Sequence, residues 1–275
     1  MYGELLDFAV GMAREAGAVQ IAAFRSGDLG VQTKSNVYDV VTRIDKECEA
    51  LIGRRIAERW PSHALLGEEG GERGMAGSDW RWVVDPLDGT TNYSQGLPVF
   101  AVSIALQHRG ETVVGVVFAP RLDELYTAVR GGGAWLAERG KEPRRIRVAR
   151  KESLASAVLA TGFPYDKDLN PDNNCDNMVR ILPRIRGLRR MGSAAYDLCA
   201  VAAGWIDGYW ELALHEWDVC AGALIVAEAG GVVEPLRTDR GISLLAGPSE
   251  LVAEMRRYVP WRLVLHQQGI IMLAL

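Results

Sequence analysis

Apolar residues recur at helical spacing near the start of the chain: Leu5, Phe8, Ala9, Met12, Ala16 and Val19 fall on one face, which predicts an amphipathic helix over residues 4–24. A short polar stretch around Lys34-Ser35-Asn36 follows, then Val40-Val41. Ile44, Cys48, Leu51, Ile52 and Ile56 mark a second helix, and Trp60-Pro61 must stop it because proline lacks the amide the next turn needs. Leu65-Leu66 leads into Gly67-Glu68-Glu69, and the Gly-rich polar segment from Gly70 to Ser78 reads as a mobile loop.

From Trp80 the period changes. Trp82-Val83-Val84 predicts a short strand ending at Asp85, and Phe100–Leu106, Val113–Phe118 and Leu125–Ala128 are β-branched or aromatic runs between turn residues, as in a largely antiparallel sheet. Beyond residue 153, short strands at Val158–Thr161 and Gly208–Glu211 alternate with helices near 173–182, 193–203 and 218–229. The pattern predicts layered helices and sheets in two subdomains, residues 1–150 and 151–275. The apolar C-terminal stretch Trp261–Leu275 reads as a packed strand or helix, or as a subunit contact.

Composition narrows the function. At 275 residues with 48% hydrophobic and 24% charged positions the chain is an ordinary globular protein. Its net charge of −4 argues against nucleic acid as the main partner, although a bound divalent cation reverses the local sign and leaves an anionic substrate open. Cys48, Cys175, Cys199 and Cys220 show no paired spacing and read as small buried residues in a reducing compartment. With no basic leader or membrane-length apolar run in view, the expected location is the cytoplasm.

The chemistry concentrates in carboxylates. In Val84-Asp85-Pro86-Leu87-Asp88-Gly89-Thr90-Thr91-Asn92, two acids three residues apart follow a buried strand, with a proline fixing the backbone between them. Hard cations such as Mg²⁺ take oxygen ligands from a few carboxylates and carbonyls, so Asp85, Asp88 and the Leu87 carbonyl are candidates. Gly89 permits close backbone approach, and the Gly89 and Thr90 amides can meet a phosphate. The competing explanation is a plain turn, since Asp-Pro and Asp-Gly favour turns. Glu68-Glu69 is equally compatible with a solvated loop, and Asp218, before a small-residue helix, with an N-cap. Asp45 fits a capping box with Thr42, while Lys34 and Asp39 pass for surface charges. The four histidines lack metal spacing, and no Gly-x-Ser-x-Gly elbow, Walker loop or dinucleotide fingerprint occurs.

Taken together, Gly67-Glu68-Glu69, Asp85-Pro86-Leu87-Asp88-Gly89-Thr90-Thr91-Asn92 and Trp217-Asp218-Val219-Cys220-Ala221-Gly222 resemble the three signature motifs of the inositol monophosphatase family, in order. The similarity extends to Lys34 through Asp45, Gly192-Ser193-Ala194-Ala195 and Tyr209-Trp210-Glu211, with Ser193, Cys220 and Tyr93 as modest departures. The resemblance implies an α/β (α+β) protein with the layered α/β/α/β/α sandwich of sugar phosphatases, a homodimer, and two to three Mg²⁺ per subunit. It implies Glu68, Asp85 and the Leu87 carbonyl at a first metal, Asp85, Asp88 and Asp218 at a second, and Glu68 at a looser, lithium-sensitive third. Thr90, Asp45 and Glu68 would handle the attacking water. Leu87, Asp88, Gly89, Thr90 and Asp218 would meet the phosphate end of the substrate, and Arg189, Gly192, Ser193, Ala194 and Glu211 the alcohol end.

The activity so implied is hydrolysis of a small phosphorylated polyol or sugar, myo-inositol 1-phosphate first. Fructose 1,6-bisphosphate, histidinol phosphate or adenosine 3′,5′-bisphosphate are alternatives. A different class of reading is a regulatory protein that binds RNA polymerase or another partner, for which the run Arg184, Arg186, Arg189 and Arg190 is the candidate patch.

Overall fold

The computed structural model describes residues 2–151, 153–237 and 239–259. The apolar stretch Trp261–Leu275 singled out above lies outside the described residues.

The chain opens with helix α1 (Gly3–Ala23), which buries Ala9, Met12, Ala13 and Ala16 on the face the apolar period marks. A small ribbon, β1 (Gln32–Thr33) with β2 (Val40–Val41), leads to α2 (Arg43–Arg59). Helix α2 starts at a capping box: Ile44 N–H donates to Thr42 Oγ1, and Thr42 N–H donates to Asp45 Oδ2 at 2.8 Å. Ile44, Cys48, Ile52 and Ile56 form its buried stripe, each fully buried aliphatic contributing about 1.5–3 kcal/mol.

An eight-stranded sheet follows, comprising β3 (Ala64–Gly67), β4 (Gly71–Gly74), β5 (Trp80–Asp88), β6 (Ala101–His108), β7 (Glu111–Ala119), β8 (Glu124–Val129), β9 (Gly133–Glu138) and β10 (Arg144–Arg145). Its order is β10-β9-β8-β7-β6-β5-β3-β4, antiparallel throughout except for the β3–β5 pair. Two expectations are corrected here. The Gly-rich stretch read as a loop is in part a strand, because β4 folds back on β3 with Leu66 opposite Glu72. A local reading of glycines misses this, since the pairing partner supplies the order. The strand expected to end at Asp85 instead runs on to Asp88, and only the turn at Gly89 separates it from the short helix α3 (Thr90–Ser94).

The second half holds a five-stranded sheet: β11 (Val158–Thr161), β12 (Gly187–Arg189), β13 (Gly208–Leu214), β14 (Val232–Arg237) and β15 (Ile242–Gly247), ordered β12-β11-β13-β15-β14. Among the described residues four α-helices accompany it: α4 (Cys175–Ile181), α5 (Ala194–Ala202), α6 (Glu216–Glu228) and α7 (Ser249–Met255).

The layering follows from which faces are apolar on both sides. Helices α1 and α2 cover one face of the large sheet, while α5 and α6 fill the space between the two sheets. Every residue of α5 is buried, as a helix packed on both sides requires. Helix α7, with Ile181 of α4, closes the outer face of the small sheet. The result is five layers, α/β/α/β/α. Cys48 and Cys199 are buried, but Cys220 is half-buried and Cys175 exposed, which corrects the expectation that all four are buried. Among the described residues, no helix is long and apolar enough to cross a membrane.

Candidate metal and phosphate site

The end of β5 is built to aim two acids the same way. In a regular strand, residues three apart point to opposite faces. Between Asp85 and Asp88 the ladder with β6 slips: Asp85 pairs with Ser103 and Asp88 with Ala101, so one extra residue bulges from β5. That residue restores a common side. Pro86 has no amide to lose from the ladder, and its carbonyl accepts a 2.7 Å hydrogen bond from buried Gln20 Nε2 on α1. Leu87 N–H donates to Asp85 Oδ1 at 2.9 Å, which locks the bulge.

Asp218 reaches the same point from α6, one turn inside its N-terminus, and accepts from His215 N–H at 2.7 Å. Carboxylate oxygens of Asp85, Asp88 and Asp218 all lie within 4.8 Å of one another. Asp85 and Asp88 are buried and Asp218 half-buried. Burial pushes the Asp85 carboxyl well above the ordinary range, and repulsion from Glu68, Asp88 and Asp218 pushes it further. Asp218 is raised by burial and then by Asp88, and Asp88 by burial against the opposing pull of Ser193 and the Ala194 and Ala195 amides. The only cation paired with this group of acids among the described residues is Lys34, on Glu68 Oε1 at 2.7 Å and on Glu69. Glu68, raised to about 7 by burial in spite of Lys34, stands against Asp85.

A crowd of buried oxygen donors this short of positive charge fits a hard divalent cation. Asp85, Asp88, Asp218 and Glu68 are placed to hold one or more such ions. The Leu87 carbonyl, which accepts from Thr90 Oγ1 at 3.0 Å, lines the same 230 Å³ cavity.

Beside the acids, Gly89 turns the chain with φ of +91°, a conformation glycine adopts freely, and a Cβ there would lie 3.1 Å from both the Gly192 and Val99 carbonyl oxygens. The turn delivers Thr90, whose hydroxyl lies 2.8 Å from Asp45 Oδ1. Asp45 is fully buried, and burial raises its carboxyl although Thr42 and Thr90 hydrogen-bond to it. Asp88 Oδ2 in turn accepts from Ser193 Oγ at 2.6 Å and Ala195 N–H at 2.7 Å, tying β5 to the start of α5 and placing Gly192, Ser193 and Ala194 at the wall of a 430 Å³ cleft.

The far wall of the cleft carries Glu211, which accepts from Tyr209 OH and is raised to about 7 by burial. Arg189 is exposed, its side chain donates to the neighbouring Leu188 carbonyl, and it is not among the residues that line the cleft; its neighbour Arg190, also exposed, is, and the Arg190 charge pulls on Asp88, Asp197 and Glu211.

Sequence reasoning missed three further residues. Lys34 is the cation on Glu68 rather than a surface charge. Asp197 on α5 is 1% exposed, lines the cleft beside Glu211 and has an Oδ1 without a hydrogen-bond partner among the described residues. His215 faces both cavities and stacks on Trp217. Of these, only Asp197 had a signal to find: an acid four residues past Ser193 within an otherwise apolar helix.

Comparison with known proteins follows the same lines. The family model described as the inositol monophosphatase family matches residues 1–268. A Pasteurella multocida protein named Nus factor SuhB is 44% identical over 229 residues, covering 83% of this chain and 84% of that one. A Rhizobium meliloti protein named inositol-1-monophosphatase is 44% identical over 221 residues, covering 80% and 78%. The solved inositol monophosphatase of Anabaena superposes with a TM-score of 0.81 at 36% identity, over 93% of this chain and 95% of that one.

Proposed function

Because the chain belongs to the inositol monophosphatase family, a family of metal-dependent phosphatases, we propose that it hydrolyses the phosphate monoester of a small polyol, myo-inositol 1-phosphate first, with two to three Mg²⁺ per subunit. The observation that carries this reading is the convergence of Asp85, Asp88 and Asp218 within 4.8 Å from sequence positions up to 133 apart (218 − 85). Such acids repel one another and gain by gathering only around a cation.

In this reading Glu68, Asp85 and the Leu87 carbonyl hold one Mg²⁺, Asp85, Asp88 and Asp218 a second, and Glu68 contributes to a weaker, lithium-sensitive third. The bound ions supply the positive charge that the phosphate and its leaving oxygen require, and acidify water. The chain's own groups do the rest. Thr90 Oγ1, held by Asp45, orients the attacking water and passes on its proton. The Gly89 and Thr90 amides face the phosphate oxygens. Ser193, braced by Asp88, sets the cleft wall against which the alcohol lies, and Glu211 accepts from its hydroxyls. Residues up to 150 thus carry most of the ion-holding groups, and the remainder carries Asp218 and the alcohol contacts.

Release of phosphate from a panel of inositol, sugar, histidinol and nucleotide monophosphates, with and without Mg²⁺ and with tens of millimolar Li⁺, tests the reading (the Li⁺ range is on the order expected for a weak hard-cation site). No Mg²⁺-dependent release from any ester would refute it. One observation favours a second role. A relative named Nus factor SuhB is as similar, at 44%, as one named inositol-1-monophosphatase. A partner-binding function is therefore tested alongside: RNA polymerase binding that survives Asp88→Asn in the absence of Mg²⁺ supports it, and none refutes it.

A further inference from the structure

Helix α2 presents two buried acids one turn apart, and only Asp45 has a part in the reading above. The other, Glu49, is 3% exposed. A buried carboxylate is expensive unless its oxygens are satisfied, so its partners are informative. Glu49 Oε2 accepts a 2.7 Å hydrogen bond from the Glu69 backbone N–H, and Oε1 accepts from the Arg73 guanidinium on β4. The carboxylate thus sits beneath the three-residue turn, Glu68 to Gly70, that joins β3 to β4. The fit is close. A Cβ at Gly67 would lie 2.5 Å from Glu49 Oε2, and one at Gly70 would lie 2.7 Å from Oε1. Neither glycine has a positive φ, so what these positions require is room for Glu49, not an unusual backbone.

We propose that Glu49 is a positioning residue for the metal centre, its carboxylate clamping the Glu68–Glu69 turn so that Glu68 faces Asp85. The inference rests on the metal-dependent reading above and adds a residue that touches neither ion nor substrate. Its geometry has a consequence for catalysis. Asp45 holds Thr90, and Glu49, four residues on, holds the backbone that carries Glu68. One rigid helix therefore spaces the two groups that flank the attacking water. Arg73 balances the charge of Glu49, so the clamp adds little to the crowding of the site acids.

The test compares Glu49→Ala, Glu49→Gln and Gly67→Ala, measuring Mg²⁺ affinity by isothermal titration in the absence of substrate, then kcat, KM and Tm. Groups that hold a metal ligand in place are typically worth about 10–100-fold in metal affinity or activity. Glu49→Ala should weaken Mg²⁺ binding about tenfold or more on that basis and lower kcat, leaving KM at saturating Mg²⁺ unchanged. Glu49→Gln, whose amide oxygen still accepts from Glu69 N–H, should recover most of the affinity. If Glu49→Ala does not fold, Gly67→Ala carries the test, since its methyl displaces the carboxylate from the turn and should weaken binding in the same direction. Mg²⁺ affinity within twofold of wild type in folded Glu49→Ala or Gly67→Ala, whatever happens to Tm, overturns the proposal, and so does a Gln variant as impaired as Ala. A wild-type chain that takes up no Mg²⁺ overturns the metal-dependent reading itself, and this inference with it.

Discussion

Thr90→Val separates handling of water from binding of metal, because it removes one hydroxyl and almost nothing else. The side chain is 8% exposed and valine keeps its shape. Two contacts are lost, with Asp45 Oδ1 at 2.8 Å and with the Leu87 carbonyl at 3.0 Å. Asp45 keeps its hydrogen bonds from Thr42 N–H and Thr42 Oγ1, so it stays anchored on α2. The stability cost is then that of one hydrogen bond to an acidic group, about 1.5–3 kcal/mol. For a chain of this size that corresponds to roughly 3–12 °C in Tm. The kinetic cost should be larger. Losing a positioned acid–base group typically lowers the rate about 10²–10⁴-fold, or about 2.7–5.5 kcal/mol in the barrier. The Gly89 and Thr90 amides and the carboxylates are untouched, so KM and the Mg²⁺ requirement should hold. Initial-rate phosphate release across a Mg²⁺ titration, with calorimetric Tm alongside, measures all four quantities. A kcat within twofold of wild type would show Thr90 to be a structural link between α2 and β5. A lost Mg²⁺ requirement at normal kcat would refute the division of labour altogether.

Asp88→Asn should behave differently: it removes charge from the ion-holding group while keeping an acceptor for Ser193 and Ala195, so Mg²⁺ affinity and kcat fall together, each by at least the about 10–100-fold typical of losing a group that only orients a ligand; titration calorimetry showing normal Mg²⁺ binding would contradict it. Arg190→Ala should raise KM several-fold through the cleft wall, while Arg189→Ala should leave KM unchanged, and a steady-state comparison in which Arg189 mattered more would reverse the assignment. In the absence of Mg²⁺, Glu68 and Glu211 titrate in the fold near 7 instead of 4.5 because burial disfavours their charged forms. Folding then binds protons, so this contribution to stability is full below pH 4.5 and is lost as pH rises to about 7. The gain in Tm on adding Mg²⁺ should accordingly grow across that window, and scanning calorimetry with EDTA or Mg²⁺ at each pH would expose a gain that shrinks instead.

The sequence by itself determined the local elements and the identity of the chemistry. Apolar spacing located α1 and α2, because a buried helical face must repeat every three to four residues whatever lies opposite it. Thr42 and Asp45 announced the start of α2, Pro61 its end, and the alternating runs after Phe100 the antiparallel strands. The motifs around Glu68, Asp85 to Asn92, and Asp218 pointed to carboxylate chemistry only when taken together; each alone was also a turn, a loop or a cap. What tertiary structure decided was everything that depends on a partner distant in sequence. Residues 71–74 form a strand because β3 offers an edge. Asp85 and Asp88 share a side because the ladder with β6 slips by one residue, which no spacing within β5 reveals. Lys34 is committed to Glu68 and Glu69, and Arg190 lines the cleft. Glu49 and Asp197 are buried by packing against elements distant in sequence. A side chain's charge is written in the sequence, but its burial and the company it keeps are set by long-range packing, and those fix what the charge can do.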